Sequence, residues 1–464
     1  MEDNRRPEFS WIEGMAISLA MIGVQLSSEV LNQWGFYFYS PSEGVGRTIY
    51  VAIKFVWIIF FIGTLWDAVT DPLIGSWSDK TKTTPGVFRY FRMRGRRRPF
   101  IFYGSILLML PAIAFWFPPV EETSMANLAY GTILLCLHWT MFTIVYIPLN
   151  ALAPEIARSE RARISMGTYV AVGMILGLAM AAVLPGELIV WLDPARTEDS
   201  FSAMGYRRLA ASMAVLSLLL FQLPVWLVRE RYDSESAPRQ HAPVLRSYLD
   251  ACRNRAFVVY ALAFFCFTSG FLAAQRALPY WAELGLGGDE GTVTILMLPF
   301  ILTALLSLAV IPALARRLHV KWMIILAFFI IATGLPCMYL IGAANVTSST
   351  KVVLGALLFA YCGIGQGIMY VMITPILGEA IDYDEQRSGE RREALYNGLS
   401  GFTWKASMGT AIAIASMSMH TWGNSPEHGT GVLLVGPIAG VFAVLGLASM
   451  LFYPKLHLTR QDKP

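Results

Sequence analysis

Two aspartates four residues apart, Asp67 and Asp71, lie inside the apolar stretch FIGTLWDAVTDPLIGSWSD. At that spacing both fall on one face of a helix, a turn apart. A charged side chain at bilayer depth costs about 3 kcal/mol or more, so it needs a partner or a task. Two like charges this close do not both stay ionised in a low dielectric without a counter-charge. Pro72 removes the hydrogen bond that the carbonyl of Ala68 would accept, which leaves a further oxygen nearby. Paired carboxylates with spare oxygens suit a hard cation such as sodium. They equally suit a shared proton, or a lysine or arginine that only ties helices together. Asp71 is eight residues from Asp79, which is about 12 Å along a helix.

A candidate counter-charge lies far away in the chain. Lys405, in LSGFTWKASMGTAIA, follows Glu393 by twelve residues, or roughly 18 Å of helix. An intramembrane lysine pairs with something, and Asp67 and Asp71 are the partners on offer. Other polar residues interrupt apolar runs. Gln25, Glu29 and Asn32 share one helix face by their spacing of four and three, which suits substrate hydrogen bonding or a contact between helices. Thr143, Tyr146 and Asn150 lie near one face of HWTMFTIVYIPLNAL, with Trp139 a turn before Thr143. Rings beside amide and hydroxyl groups suit a sugar, and also ordinary packing. Arg276, in SGFLAAQRALPYW, would meet an anionic group or snorkel to the surface. Trp404, beside Lys405, completes the candidate substrate set. His138 reads as a core histidine with its hydrogen bonds satisfied, and the run WGFYFY (34–39) as an interfacial aromatic belt.

The elements that must position these residues follow from composition. The chain has 464 residues, of which 55% are hydrophobic and only 15% charged; a soluble domain carries about 25% charged residues. The mean hydropathy is +0.52. An all-α membrane protein is the reading. A bilayer core takes about 20 residues of helix, and twelve spans are expected near 14–39, 48–77, 99–118, 127–152, 165–190, 208–228, 257–282, 292–315, 321–343, 351–378, 395–420 and 431–453. With the N-terminus inside, 28 of the 36 Lys and Arg fall in inner segments. Only Arg47, Arg196, Arg207, Arg208 and Lys351 fall in outer loops. That asymmetry puts both termini in the cytoplasm. The polar segment 229–255 separates an N-terminal six-helix bundle (1–228), which holds the aspartates, from a C-terminal one (256–464). Two six-span halves are the layout of transporters built from repeats, although no strong internal sequence repeat is visible. Three glycines in the tenth span, Gly363, Gly365 and Gly367, read as close-approach points between helices.

Two inner segments are dense in charge. One ends in RMRGRRRP, and the other is EAIDYDEQRSGERRE. Solvation and retention inside explain both. A cytoplasmic gate of ion pairs is the functional reading, with Asp79, Arg96, Arg97, Glu379, Asp382 and Arg391 as its members. An enzyme would need a nucleophile with its base, or metal ligands, at membrane depth. No H-E-x-x-H, no Ser or Cys with a partner histidine and no phosphate loop is present. The five cysteines show no C-x-x-C spacing. The net charge of +4 comes from short loops, so no nucleic-acid partner is expected.

The stretch WDAVTDPLIGSWSDKT followed by GRRRPFIFYGS, together with GEAIDYDEQRSGERREALYNGLSGFTWK, resembles the glycoside–pentoside–hexuronide:cation symporters, the melibiose-permease family of the major facilitator superfamily. The resemblance implies that fold, with the halves rocking about a central site in alternating access. It matches Asp67, Asp71 and Thr143 to the family's cation site and Lys405 to its functional lysine. It implies a coupling cation, Na+ (or H+ or Li+), and no other cofactor. Departures are as informative. Gln25 and Tyr146 stand where melibiose permease has its sugar-binding aspartates, Asn150 replaces its stacking tryptophan, and SMGTYVAVG offers no counterpart to its span-five arginine. The cation machinery is kept and the melibiose pocket is not. A sugar, a glycoside or a uronate paired with Arg276 is therefore expected as the solute. A lysophospholipid or other amphiphile is the alternative, since animal relatives carry lysophospholipids. A monomer in the plasma membrane, the inner membrane of a bacterium, completes the expectation.

Overall fold

The structure is a computed structural model. It describes residues 8–81, 95–157, 159–195, 202–230, 253–315, 318–389 and 392–454. Among these the regular elements are helices, with no strand. The chain divides into two compact units, Met1–Ala237 and Pro238–Pro464.

The first unit contains α1 (Trp11–Tyr39), α2 (Ile53–Lys80), α3 (Arg98–Ala114), α4 (Met125–Ile156), α5 (Glu160–Leu192) and α6 (Met204–Leu227). The second contains α7 (Arg255–Tyr280), continued by a π-helical turn at Trp281–Gly285, then α8 (Glu290–Ala315), α9 (Val320–Gly334), α10 (Cys337–Ala343), α11 (Ser348–Ser388), α12 (Glu393–Trp422) and α13 (Thr430–Leu451). Each of the twelve expected spans is present. The ninth is split into α9 and α10 ahead of Pro336, whose ring cannot continue the hydrogen-bond ladder. The tenth, α11, is 41 residues long and runs ten residues past its expected end at 378. Among the described residues, ten helical spans are long and apolar enough to cross a membrane. Their outward faces are apolar, with Leu306, Leu357 and Trp191 each more than 60% exposed. That surface suits lipid and would not suit water. Most of the expected linker, 231–252, lies outside the described residues.

Local signals set the helix starts. Ser10 and Glu13 form a reciprocal capping box at the head of α1, satisfying two of its orphan N–H groups. Asn254 caps α7 by accepting from the Phe257 N–H at 3.2 Å. Packing then depends on small residues. A Cβ on Gly173 of α5 would lie 2.0 Å from the Ser18 carbonyl oxygen of α1. Gly363 and Gly367 do the same work for α11 against α8, while Gly365 faces α9. Only hydrogen at these positions lets the backbones approach.

The pairing of helices is the same in both units. In the first, α1 packs on α5 and α6, α4 on α2 and α3, and α3 on α6. In the second, α7 packs on α12 and α13, α11 on α8 and α9, and α9 on α13. Each of these second-unit pairs is the first-unit pair moved on by six spans. The fold therefore carries a repeat that the residue identities do not display.

The WGFYFY run differs from expectation. Trp34, Phe36, Tyr37, Phe38 and Tyr39 are all buried, none more than 5% exposed. They form an aromatic core with Tyr50, Phe115, Trp116 and Tyr206 in place of an interfacial belt. Tyr39 donates its hydroxyl proton to the Phe115 carbonyl at 2.8 Å. Arg47 donates to the Tyr206 hydroxyl at 3.0 Å and stands over the Tyr37 ring. In the loop before α2, burial raises the Tyr50 phenol above its ordinary range. Hydropathy alone cannot separate these roles, because a tyrosine suits an interface and a closed core equally.

Candidate functional site

The site in the first unit is built where α2 meets α4. Gly63 permits the approach: a Cβ there would lie 2.7 Å from the Leu135 side chain and 3.3 Å from Trp139. One turn on, the Trp66 indole N–H donates to the Thr140 hydroxyl at 2.8 Å. The next turns of the two helices bring Asp67, Asp71 and Thr143 together. The Thr143 hydroxyl oxygen is 3.1 Å from Asp67 Oδ1 and 3.1 Å from Asp71 Oδ1. Thr143 is 1% exposed, and both aspartates are half-buried. α2 runs through Pro72 without a break.

This arrangement has a specific chemistry. A hydroxyl carries one proton and two lone pairs, so it can donate to only one of the two carboxylates. The other approach sets oxygen against oxygen, which is favourable only where a proton or a cation is shared at that point. The converging donors are all oxygens, the set that hard cations take. Among the described residues no group of three or more His, Cys, Asp or Glu converges into a transition-metal site.

The polar stripe of α1 is divided. Gln25 donates its amide to the Met174 carbonyl of α5 at 3.4 Å, so it joins two helices. Glu29 is half-buried and Asn32 is 5% exposed. On α4, Trp139 is buried against Phe142 and His138. Tyr146 is half-buried and stacks on Phe142, with ring centroids 5.4 Å apart. Asn150 is exposed. In the second unit Arg276 is 4% exposed, so it does not snorkel to the surface. Trp404 is exposed and stacks on Phe264 at 5.9 Å, with Lys405 half-buried beside it.

The charged segments form networks inside each unit. Arg96 and Arg97, at the head of α3, reach Glu155 near the end of α4, with nitrogen–oxygen distances of 2.6 and 3.1 Å. Arg97 also donates to the Ser78 hydroxyl of α2. Glu230, just beyond α6, accepts the backbone N–H groups of Arg96, Arg97 and Arg98. A carboxylate at a helix N-terminus satisfies orphan donors and complements the helix dipole. Burial nevertheless raises the Glu230 carboxyl above its ordinary range; the three N–H groups act against that shift and nearby Glu155 adds to it. In the second unit Arg392 grips Asp384 through two nitrogens, at 3.1 and 3.2 Å. Glu379 accepts from the Tyr453 hydroxyl at 3.4 Å and faces His319 at 3.9 Å. Asp382 is half-buried. Arg391 lies outside the described residues, and Asp79 stands in the last turn of α2.

Glu155 and Glu230 are the members that sequence reasoning passed over, while Asp384 and Arg392 lie in a segment it singled out without choosing them. The signal was available, since each acid flanks an apolar span. Counting basic residues for orientation leaves acids unexamined.

The MFS/sugar transport protein family matches residues 16–456. The chain belongs to that family. Among its relatives, the isoprimeverose transporter of Lactiplantibacillus pentosus is 21% identical over 90% of this chain and 82% of its own length. The sodium-dependent lysophosphatidylcholine symporter 1 of Gallus gallus is 22% identical over 86% of this chain and 79% of its own length. A solved structure from work on proton-dependent oligopeptide transporters superposes with a TM-score of 0.66, at 12% identity, covering 95% of this chain and 97% of that one. It shares the fold. As an MFS/sugar transport protein, the chain is a multi-pass membrane transporter of small molecules and not an enzyme.

Proposed function

We propose that this transporter carries a sugar, glycoside or uronate-like solute together with a cation, by alternating access. The observation that carries the reading is the Thr143 hydroxyl set 3.1 Å from both Asp67 and Asp71. A monovalent cation entering between these oxygens offsets one of the two negative charges and lowers the cost of holding two carboxylates side by side at membrane depth. Sodium is the proposed coupling ion, with lithium and the proton as the ions that the same oxygens would take. The solute would be held by Gln25, Glu29, Asn32, Tyr146 and Asn150 of the first unit and by Arg276 and Trp404 of the second. Lys405 is assigned to coupling by its family position. The protein would act as a monomer without a nucleic-acid partner or a further cofactor. Its membrane would be the plasma membrane, a bacterial inner membrane, with both termini cytoplasmic in line with the Lys and Arg asymmetry. The isoprimeverose transporter among the relatives supports a sugar-like solute. The lysophosphatidylcholine symporter supports the second reading, an amphiphile moved with sodium.

The test is the thermal stability of the purified protein with and without sodium at fixed pH, across glycosides, uronates and lysolipids. Ligand bound to the native state raises the melting temperature by mass action. A sugar or uronate should stabilise the wild type more with sodium than without, and Asp71→Asn should remove the sodium increment. Stabilisation by lysolipid alone would replace the sugar reading with the amphiphile one. Sodium-driven solute accumulation by Asp71→Asn at the wild-type level would sink the cation site.

A further inference from the structure

Convergence of Asp67, Asp71 and Thr143 requires one register of α2 against α4. The aspartates are four residues apart on α2, about 6 Å of helix rise. Thr143 of α4 stands between them, 3.1 Å from an oxygen of each. Equal distances to two points separated along an axis hold at one axial position. A slip of α4 by one residue, about 1.5 Å, brings the hydroxyl toward one carboxylate and takes it from the other.

Close packing does not set that register. The two helices run parallel along their seam, with Gly63 against Leu135 and Trp139 and, further on, Gly75 near Ile147. Glycine lets helices approach, but an apolar contact has no direction and tolerates sliding. A hydrogen bond does not, because it weakens steeply with distance and angle. One such bond crosses the seam just before the aspartates: the Trp66 indole N–H donates to Thr140 Oγ1 at 2.8 Å. Trp66 directly precedes Asp67, and Thr140 precedes Thr143 by three residues.

The Thr140 hydroxyl is oriented by a second bond. It donates its own proton to the Cys136 carbonyl one turn back, at 2.8 Å, so it offers a lone pair to α2. An indole nitrogen is a donor only, so the two groups fit in this one sense. Thr143 directs its hydroxyl across the seam to the aspartates instead. The Trp66 ring is 47% exposed and Thr140 is half-buried, so deleting either polar group opens no large cavity.

We propose that Trp66 and Thr140 are positioning residues for the cation: their hydrogen bond pins α2 to α4 in the register that brings Thr143 to both aspartates. The assignment rests on Asp67, Asp71 and Thr143 being the cation site. Without an ion the two carboxylates repel each other, and the pin keeps the Thr143 oxygen in place between them. When the bond is lost, the ion must restore the register as it binds, and its affinity falls. Preorganisation strengthens binding by removing such ordering costs beforehand.

The experiment is a sodium titration of the melting temperature of the purified full-length protein at constant ionic strength. Trp66→Phe keeps a ring and removes the N–H. Thr140→Val keeps the branched shape and removes the hydroxyl. Hydrogen bonds between membrane helices are modest, and their usual strength converts to a rise of about three- to fifteen-fold in half-saturating sodium. Each single variant should show that rise, and the double variant should show no more than either, because one bond is lost in all three. Thr140→Ser, which retains the oxygen, should titrate close to the wild type. Thr143→Val, which removes a proposed ligand, is the reference. A lower melting temperature without sodium at unchanged half-saturation in both single variants would overturn the pin, since the bond would then serve stability alone. A double variant whose shift is the product of the two single shifts would overturn it as well. If Thr143→Val moves the titration and neither Trp66→Phe nor Thr140→Val does, the pin fails and the cation site stands. A wild type whose melting temperature ignores sodium would sink the cation site and the pin with it. If Trp66→Phe does not fold, the contrast between Thr140→Val and Thr140→Ser decides.

Discussion

Replacing Thr143 by valine tests the proposed cation site with the least disturbance elsewhere. The side chain is 1% exposed, and valine keeps its branched shape while exchanging the hydroxyl for a methyl group. Two contacts of 3.1 Å to carboxylate oxygens vanish together. A hydrogen bond or ligand contact to a charged group contributes about 1.5–3 kcal/mol. At 1.4 kcal/mol per factor of ten, the sodium concentration that gives half-maximal stabilisation should rise about ten- to a hundred-fold. The assay is a sodium titration of the melting temperature at constant ionic strength, with choline as the replacing ion. Thr143→Ser retains the oxygen and should remain within a few-fold of the wild type. The same half-saturation in valine and wild type would refute the reasoning, because the threonine oxygen would then take no part in holding the ion.

Two further outcomes are expected. Burial raises the Glu230 carboxyl above its ordinary value of 4.5, so the folded state binds its proton more tightly than the unfolded chain does. Its contribution to stability is therefore fully present below pH 4.5 and is lost as pH rises through the raised value. Thermal unfolding followed across that window should show a shallower decline for Glu230→Gln than for the wild type; parallel curves would show that Glu230 does not titrate there. At the α1–α5 crossing, Gly173→Ala would set a methyl 2.0 Å from the Ser18 carbonyl oxygen. The two backbones must separate, at a cost of about 1–3 kcal/mol. The melting temperature should fall by several degrees, whereas Gly167→Ala on the same helix, with open space around it, should hold or raise it, since alanine is the better helix former.

The relation between residue pattern and structure differs from one feature to the next. Asp67 and Asp71 were legible because a helix repeats every 3.6 residues, so a spacing of four fixes a shared face without any knowledge of neighbours. The twelve spans were legible because bilayer thickness sets helix length. The charged network at the head of α3 was only half legible. Arg96 and Arg97 stand out as a basic run, but their partners Glu155 and Glu230 come from the ends of two other helices. An acid at a helix end looks the same in sequence whether it is solvated or gripping an arginine. The WGFYFY run and His138 show the same limit, since aromatic and imidazole side chains suit more than one environment.

The sequence by itself determined that this chain crosses a membrane many times, and which of its charges lie too deep to be solvated by water. Both follow from local quantities: apolar length, helical period and the cost of burying charge. Tertiary structure decided the rest. It joined Thr143 to aspartates more than 70 residues away, packed five aromatic residues of α1 into a closed core, and gave both units one pairing scheme. Those outcomes depend on which backbones can come close. That is set by a few small residues, among them Gly63, Gly173 and Gly363, whose partners are distant in the chain.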